Sequence, residues 1–214
     1  GTDHLGRSVA WRLLFATRAF VYPTLVAMVV ASLIAVPTAA LAGYYDGWPR
    51  RTYLAIHGVV SAIPRFVLIL LILSLYSAST TVLAVAIGVA YTPALSEAIY
   101  HHVKTLRSAP WVRAHFAWGF SHSTILWKFI VFRACRTLFT RHMANIFAYV
   151  LVVESTLSYL GSYGVQEPNP SLGNMMSFSW GYQSGNPMAF AAPTLLLFAL
   201  VLAAHIISAT RRTQ

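Results

Sequence analysis

Ala109-Pro110-Trp111-Val112-Arg113-Ala114-His115-Phe116-Ala117-Trp118-Gly119-Phe120-Ser121 lies between two long apolar runs, inside the most basic part of the chain. A proline that can open a helix, the small residues Ala114 and Ala117, and then Gly119 and Ser121 predict one short helix followed by a sharp turn. The segment from His101 to Arg141 holds Lys104, Arg107, Arg113, Lys128, Arg133, Arg136 and Arg141 and no acid. Lys and Arg collect in the cytoplasmic loops of membrane proteins, so this segment is expected to face the cytosol. A short helix exposed there reads either as a docking surface for a partner or as an ordinary interhelical loop, and these residues alone leave both readings open.

Composition supports a chain embedded in lipid. Hydrophobic residues make up 57% and charged residues 9%, against roughly a quarter charged in soluble domains. Mean hydropathy is +0.64. At about 20 residues per span, the 214 residues suffice for one polytopic, all-α helical bundle. The net charge of +10 could point to nucleic acid. Its basic residues flank apolar runs in short loops, however, and membrane orientation explains that distribution better than phosphate binding. Cys135 is the only cysteine, so no internal disulfide can form.

Residues 1–18 alternate arginine with apolar side chains and are expected to form an external, amphipathic entry lying at the interface. A transmembrane domain follows over 19–209. Its first span runs Ala19–Tyr45, with Pro23 and Pro37 tolerated inside it. Gly43–Arg51 forms a cytosolic turn. The uncharged run Phe66–Ser96 is too long for one straight helix, and Tyr76–Thr80 reads as a hairpin within it. A second span is therefore expected over Ile56–Leu75 and a third over Thr81–Tyr100. After the cytosolic loop 101–141, a fourth span covers Met143–Leu160. The external loop 161–186 has no Lys or Arg and should fold back against the bundle; the last span covers Pro187–Ala209, before a cytosolic tail at 210–214. This gives five spans, with the amino terminus outside and the carboxyl terminus inside. A basic external end is awkward, so a sixth span upstream of Gly1 is expected.

Ionisable groups within spans face protein or water rather than lipid. Arg65, inside the second span or at a break after Pro64, and Glu154 are thus candidates for a translocation path; each could equally be a structural partner to another helix. His57 and His205 could line a pathway or be hydrogen-bonded interior histidines. The histidines of the basic loop have no Cys or carboxylate at ligand spacing, so no metal site is expected there. No nucleophile–base–orienter arrangement is visible, and no GxxxxGK[ST] occurs. The chain is not expected to be an enzyme, and any ATP hydrolysis belongs to another polypeptide.

A series of motifs then carries a family resemblance. Gly1-Thr2-Asp3-His4-Leu5-Gly6-Arg7-Ser8, the turn Gly43-Tyr44-Tyr45-Asp46-Gly47, Ile63-Pro64, Leu157-Ser158-Tyr159-Leu160-Gly161 preceded by Glu154, and Gly164-Val165-Gln166-Glu167-Pro168-Asn169-Pro170-Ser171-Leu172-Gly173-Asn174-Met175 occur in order over essentially the whole chain. In this the chain resembles the inner-membrane permease subunits of dipeptide/oligopeptide/nickel ABC importers, in their OppC/DppC-like branch. The resemblance implies a MetI-like, type I importer permease fold in a bacterial inner membrane. It also implies partners: a second homologous permease, two cytosolic ATPases that use ATP and Mg, and an extracytoplasmic binding protein. It makes 109–121 the coupling helix, with Pro110, Trp111, Arg113, Ala114, His115, Ala117, Gly119 and Ser121 as the ATPase-facing set. The solute stays open among peptides, nickel or other metal chelates and glutathione-like compounds.

The resemblance is weakest at that helix. Arg113 stands where the family has an acid, His115 where it has a second alanine, and Phe116 where it has an arginine. Downstream, Lys128-Phe129-Ile130-Val131-Phe132-Arg133 replaces the usual segment, and Arg136 and Arg141 fall where the family's helix is already apolar. A charge reversal repels the old partner group unless that partner has changed too. Either the cognate ATPase carries a matching acid, or the chain is a structural or regulatory subunit whose coupling has degenerated.

Overall fold

The computed structural model describes residues 1–3, 5–76, 79–161, 163–182 and 186–210. The longest helix, α1 (Val9–Tyr44), has 36 residues, or about 54 Å at about 1.5 Å per residue. That exceeds the roughly 30 Å hydrocarbon core, so the helix is longer than one span needs. From Val9 onward the interfacial entry expected over 1–18 is continuous with the helix of the first span. No Gly or Pro interrupts Val9–Tyr22, so nothing ends the backbone ladder there.

Buried Ala27, Ala31, Ala35 and Ala39 recur every four residues along α1 and put a stripe of small side chains on one face. Against it lies α4 (Thr80–Arg107). Lipid tails are as apolar as leucine, so helix association in a membrane depends on close packing, which small residues permit. The approach is tight. A Cβ on Gly88 would stand 2.8 Å from Val30 Cβ, and one on Gly43 would stand 2.8 Å from the Tyr100 carbonyl oxygen. Tyr22 Oη and Thr81 Oγ1 share a hydrogen bond of 3.1 Å, so α1 and α4 run parallel.

Parallel neighbours need a crossover, and α2 (Trp48–Ser61) and α3 (Arg65–Leu75) supply it. The second span expected over Ile56–Leu75 is not one helix: the two pieces meet at 84°. Pro64 is the N-cap of α3; it donates no N–H and restricts Ile63 before it, so the ladder breaks there. Among the described residues, four helices are long and apolar enough to cross a membrane, or five if this bent pair counts as one span. The hairpin expected at Tyr76–Thr80 includes Ser77 and Ala78, which lie outside the described residues; Ser79 caps α4 by accepting from Val82 N.

The basic segment is mostly helical. After α4 come α5 (Pro110–Ala117), a turn with Gly119 at φ +81°, the short α6 (His122–Thr124) and a π-helical stretch Ile125–Ala134. Ile125, Leu126, Ile130, Val131 and Cys135 are buried. Their spacing of five suits the wider π turn, and Cys135 N–H reaches Ile130 O at 2.9 Å. Next, α7 (Arg136–Leu160) runs back against α1 and α4, with Phe20 edge-on to Phe147 at 6.0 Å. It begins seven residues before the span expected from Met143, and Gly161 in the left-handed region ends it.

The loop beyond α7 folds back onto the bundle. In α8 (Leu172–Ser179), Ser171 and Asn174 form a reciprocal capping box. Gly173 lies so close to the Ser155 carbonyl that no side chain would fit. The chain then crosses once more as α9 (Pro187–Thr210), packed on α7 and α8. Residues 183–185 and 211–214, including Arg211 and Arg212 of the expected tail, lie outside the described residues.

Candidate functional site

Two regions gather side chains that core packing alone does not require. The first is α5. Its Val112 is fully buried against the main core, while Trp111 and Phe116 pack against that core in part. Pro110 takes the first helical position and is exposed, as are Arg113, Ala114 and Ala117. His115 accepts the opposite orientation. Its Nδ1 lies 2.7 Å from the Trp111 carbonyl oxygen, and its ring contacts Trp111, Trp118, Phe120 and Phe129 at centroid distances of 4.4–5.7 Å. Phe116 sits 4.5 Å from the His122 ring, and His122 Nδ1 lies 3.1 Å from Tyr44 Oη at the end of α1. Ser121 caps α6 by accepting from Thr124 N.

The three departures from the family's pattern at α5 therefore divide. His115 and Phe116 are taken up by aromatic packing within the chain, whereas Arg113 points away from it. Around α5 the charges stay largely unneutralised. Asp46 takes Arg107 at 2.6 Å and Arg50 at 3.3 Å, and the Arg107 hydrogen bond holds its carboxyl below the usual range. Lys104 and Lys128 rest over Tyr100 and Phe129. Among the described residues, no carboxylate pairs with Arg113, Arg133 or Arg136.

The second region is a cavity of about 600 Å³ between the start of α3, α4, α7 and the end of α9. Arg65 opens it, its guanidinium 5.4 Å from the centre of the Tyr91 ring. Asn145, Tyr149, His205 and Ser208 contribute the other polar groups. Tyr91 and Asn145 are joined by a side-chain hydrogen bond.

The three path candidates thus have different surroundings. Arg65 lines this cavity. Glu154 does not: it is 0% exposed between α7 and the α8 loop, and its Oε1 accepts from Ser158 Oγ at 2.6 Å. It bonds within its own helix there, apart from the cavity that Arg65 lines. His57 faces a separate, apolar groove of about 350 Å³ between α1, α2 and α4, its Nε2 3.2 Å from the Pro93 carbonyl oxygen. His205, which the sequence pairs with His57 as an equal, belongs with Arg65.

Sequence reasoning missed Tyr91, Asn145 and Tyr149, because an uncharged polar side chain within a span carries no signal until its neighbours are known. It also missed a strap at the α8 end. Arg7 Nη1 donates to Glu167 Oε2 at 2.9 Å and Arg7 Nε to Asp3 Oδ2 at 2.7 Å, and Arg12 Nη2 donates to Glu167 Oε1. Burial works to raise the Glu167 and Asp3 carboxyls, but the hydrogen bonds they accept outweigh it and hold both below the ordinary carboxylate range. The only hint was that acid and arginine both occur in motif stretches near the two ends of the chain.

The family model described as binding-protein-dependent transport system inner membrane component matches residues 35–210. The chain is 31% identical over 207 residues to a probable peptide ABC transporter permease protein, y4tQ, of Sinorhizobium fredii, covering 97% of this chain and 70% of that one. It is 25% identical over 207 residues to the glutathione transport system permease protein GsiD of Pectobacterium atrosepticum, covering 97% and 68%. Two solved structures share the fold. One is a MetNI methionine ABC transporter in an inward facing conformation, with TM-score 0.69 at 18% identity over 95% of this chain and 96% of that one. The other is an amino acid ABC transporter with histidines, with TM-score 0.66 at 15% identity over the whole of both chains.

Proposed function

This chain belongs to the family of binding-protein-dependent transport system inner membrane components and is a permease subunit of an ABC importer; from that premise we propose that it forms, with a second permease, the path for peptides or related small solutes, and that α5 is the element through which cytosolic ATPases drive it. The relatives named above are permeases for peptides and glutathione, and others serve dipeptides and oligopeptides. Two ATPases supply hydrolysis with ATP and Mg, a binding protein delivers solute at the α8 end, and the α5 end with the carboxyl terminus faces the cytosol. The concentration of Lys and Arg at the α5 end supports that sidedness.

The observation that carries the coupling role is the orientation of α5. Its inward face is anchored by Val112, Phe116 and the His115 cluster, while Arg113, Ala114 and Ala117 are left as an exposed face. A firmly anchored element with a small-residue, positively charged outer face suits a groove that carries acid. Like charges brought together at an interface cost several kcal/mol, so Arg113→Glu is expected to lower ATP-driven uptake by the reconstituted transporter by at least about tenfold. A compensating acid-to-lysine change in the ATPase should restore it. Unchanged uptake would remove the coupling role and leave the alternative, a structural or regulatory subunit, which Arg113 and the altered segment 128–141 motivate.

A further inference from the structure

We propose that the cavity headed by Arg65 is a subsite for the carboxylate of the transported solute; the proposal rests on the transport reading above. Depth comes first. Arg65 stacks over Tyr91, and Tyr91 lies about 16 Å along α4 from Thr80 at about 1.5 Å per residue. Tyr91 thus stands well inside a span-length helix, away from both of its ends. A guanidinium at that depth needs a partner or water. Among the described residues no carboxylate pairs with it, and no acid lines the cavity. Glu154 of α7 is fully buried and does not line the cavity.

The surroundings add donors and positive potential. Tyr149, Asn145, His205 and Ser208 reach the same space. Behind Tyr91, His142 stands 6.2 Å from its ring, and His142 Nδ1 and the adjacent Arg141 Nε are buried without a hydrogen-bond partner among the described residues. A planar guanidinium grips a carboxylate with two parallel hydrogen bonds. At about 600 Å³, the cavity falls in the roughly 300–1,000 Å³ range of small-molecule sites. What the space lacks is an anion, and every peptide with a free carboxyl terminus brings one.

The test uses the assembled transporter in lipid nanodiscs without its binding protein, so that selection comes from the membrane subunits alone. Dialanine and dialanine amide, which differ in the carboxylate, are titrated and binding is read by calorimetry. Wild type should bind dialanine at least about tenfold more tightly than the amide. Arg65→Met should abolish that preference, and Arg65→Lys should keep part of it. Equal binding of the two ligands by wild type overturns the subsite, as does a preference that survives Arg65→Met. Loss of the second permease from both Arg65 variants also overturns it, because Arg65 is then an assembly contact. Uptake of both ligands by the complete wild-type system with no carboxylate preference rejects the subsite and spares the transport reading, whereas no ATP-driven uptake of any peptide rejects both.

Discussion

The two ends of this bundle solve the same problem in opposite ways. At the α8 end, Asp3, Arg7, Arg12 and Glu167 form a closed set of ion pairs, and Asn174 ties the loop together through Ser171, Val165 and Asn169. Each charge there finds its partner within the chain. At the α5 end, aromatic packing does the holding, and Asp46 is the one acid that pairs with arginine among the described residues. Most cations are left facing outward. An end that satisfies itself can present a finished surface; an end that does not is completed by something else. The contrast also explains why the departures at His115 and Phe116 are tolerated and why the one at Arg113 carries information: only the last lies on the uncompleted side.

That contrast can be broken most directly at Glu167. Glu167→Ala strands Arg7 and the buried Arg12, and should lower stability by about 2 kcal/mol, between an exposed and a fully buried pair; thermal unfolding in detergent measures it. Acid should do the same by degrees. Because Asp3 and Glu167 titrate below their ordinary range in the folded chain, their contribution is complete above about pH 4.3, the unfolded carboxylate value, and is lost as pH falls through the folded values. Hydrogen exchange should then quicken at 1–8 and 163–170 before it changes in α5. His115→Ala removes the hub of the aromatic cluster and should cost about 1.5 kcal/mol, with faster exchange confined to residues 110–121. Ser171→Ala removes a helix cap and should cost about 1 kcal/mol. Arg113→Glu should change the stability of the chain by less than about 0.5 kcal/mol, despite its large expected effect on uptake. A stability loss as large as that of Glu167→Ala would mean that the α5 end, too, is closed on itself.

Much of this architecture could be read from local signals. Apolar runs locate the long helices, Pro110 and Gly119 bracket α5, and Pro64 marks a break that the residues alone left as one of two readings for Arg65. What escaped was of three kinds. Helix ends were misjudged where an amphipathic stretch continues into a span without a breaker, as at Val9–Arg18 and Arg136–His142. Partnerships across long separations were invisible: Arg12 and Glu167 are 155 residues apart, and Arg65, Asn145 and His205 meet only once three helices are packed. The π-helical stretch was illegible for a third reason, since its five-residue spacing resembles neither template used to recognise a helix or a strand.

The alanine stripe has a mechanical corollary. Gly43 and Gly88 bring backbone against side chain and carbonyl so closely that α1 and α4 cannot slide past one another without collision, so the pair is a plank rather than two rods. A tilt imposed at its Tyr44 end must reappear, undiminished, at the end where Tyr22 meets Thr81. Compliance has to come from the kinked crossover at Ala62–Pro64, which makes that elbow the natural fulcrum of the molecule.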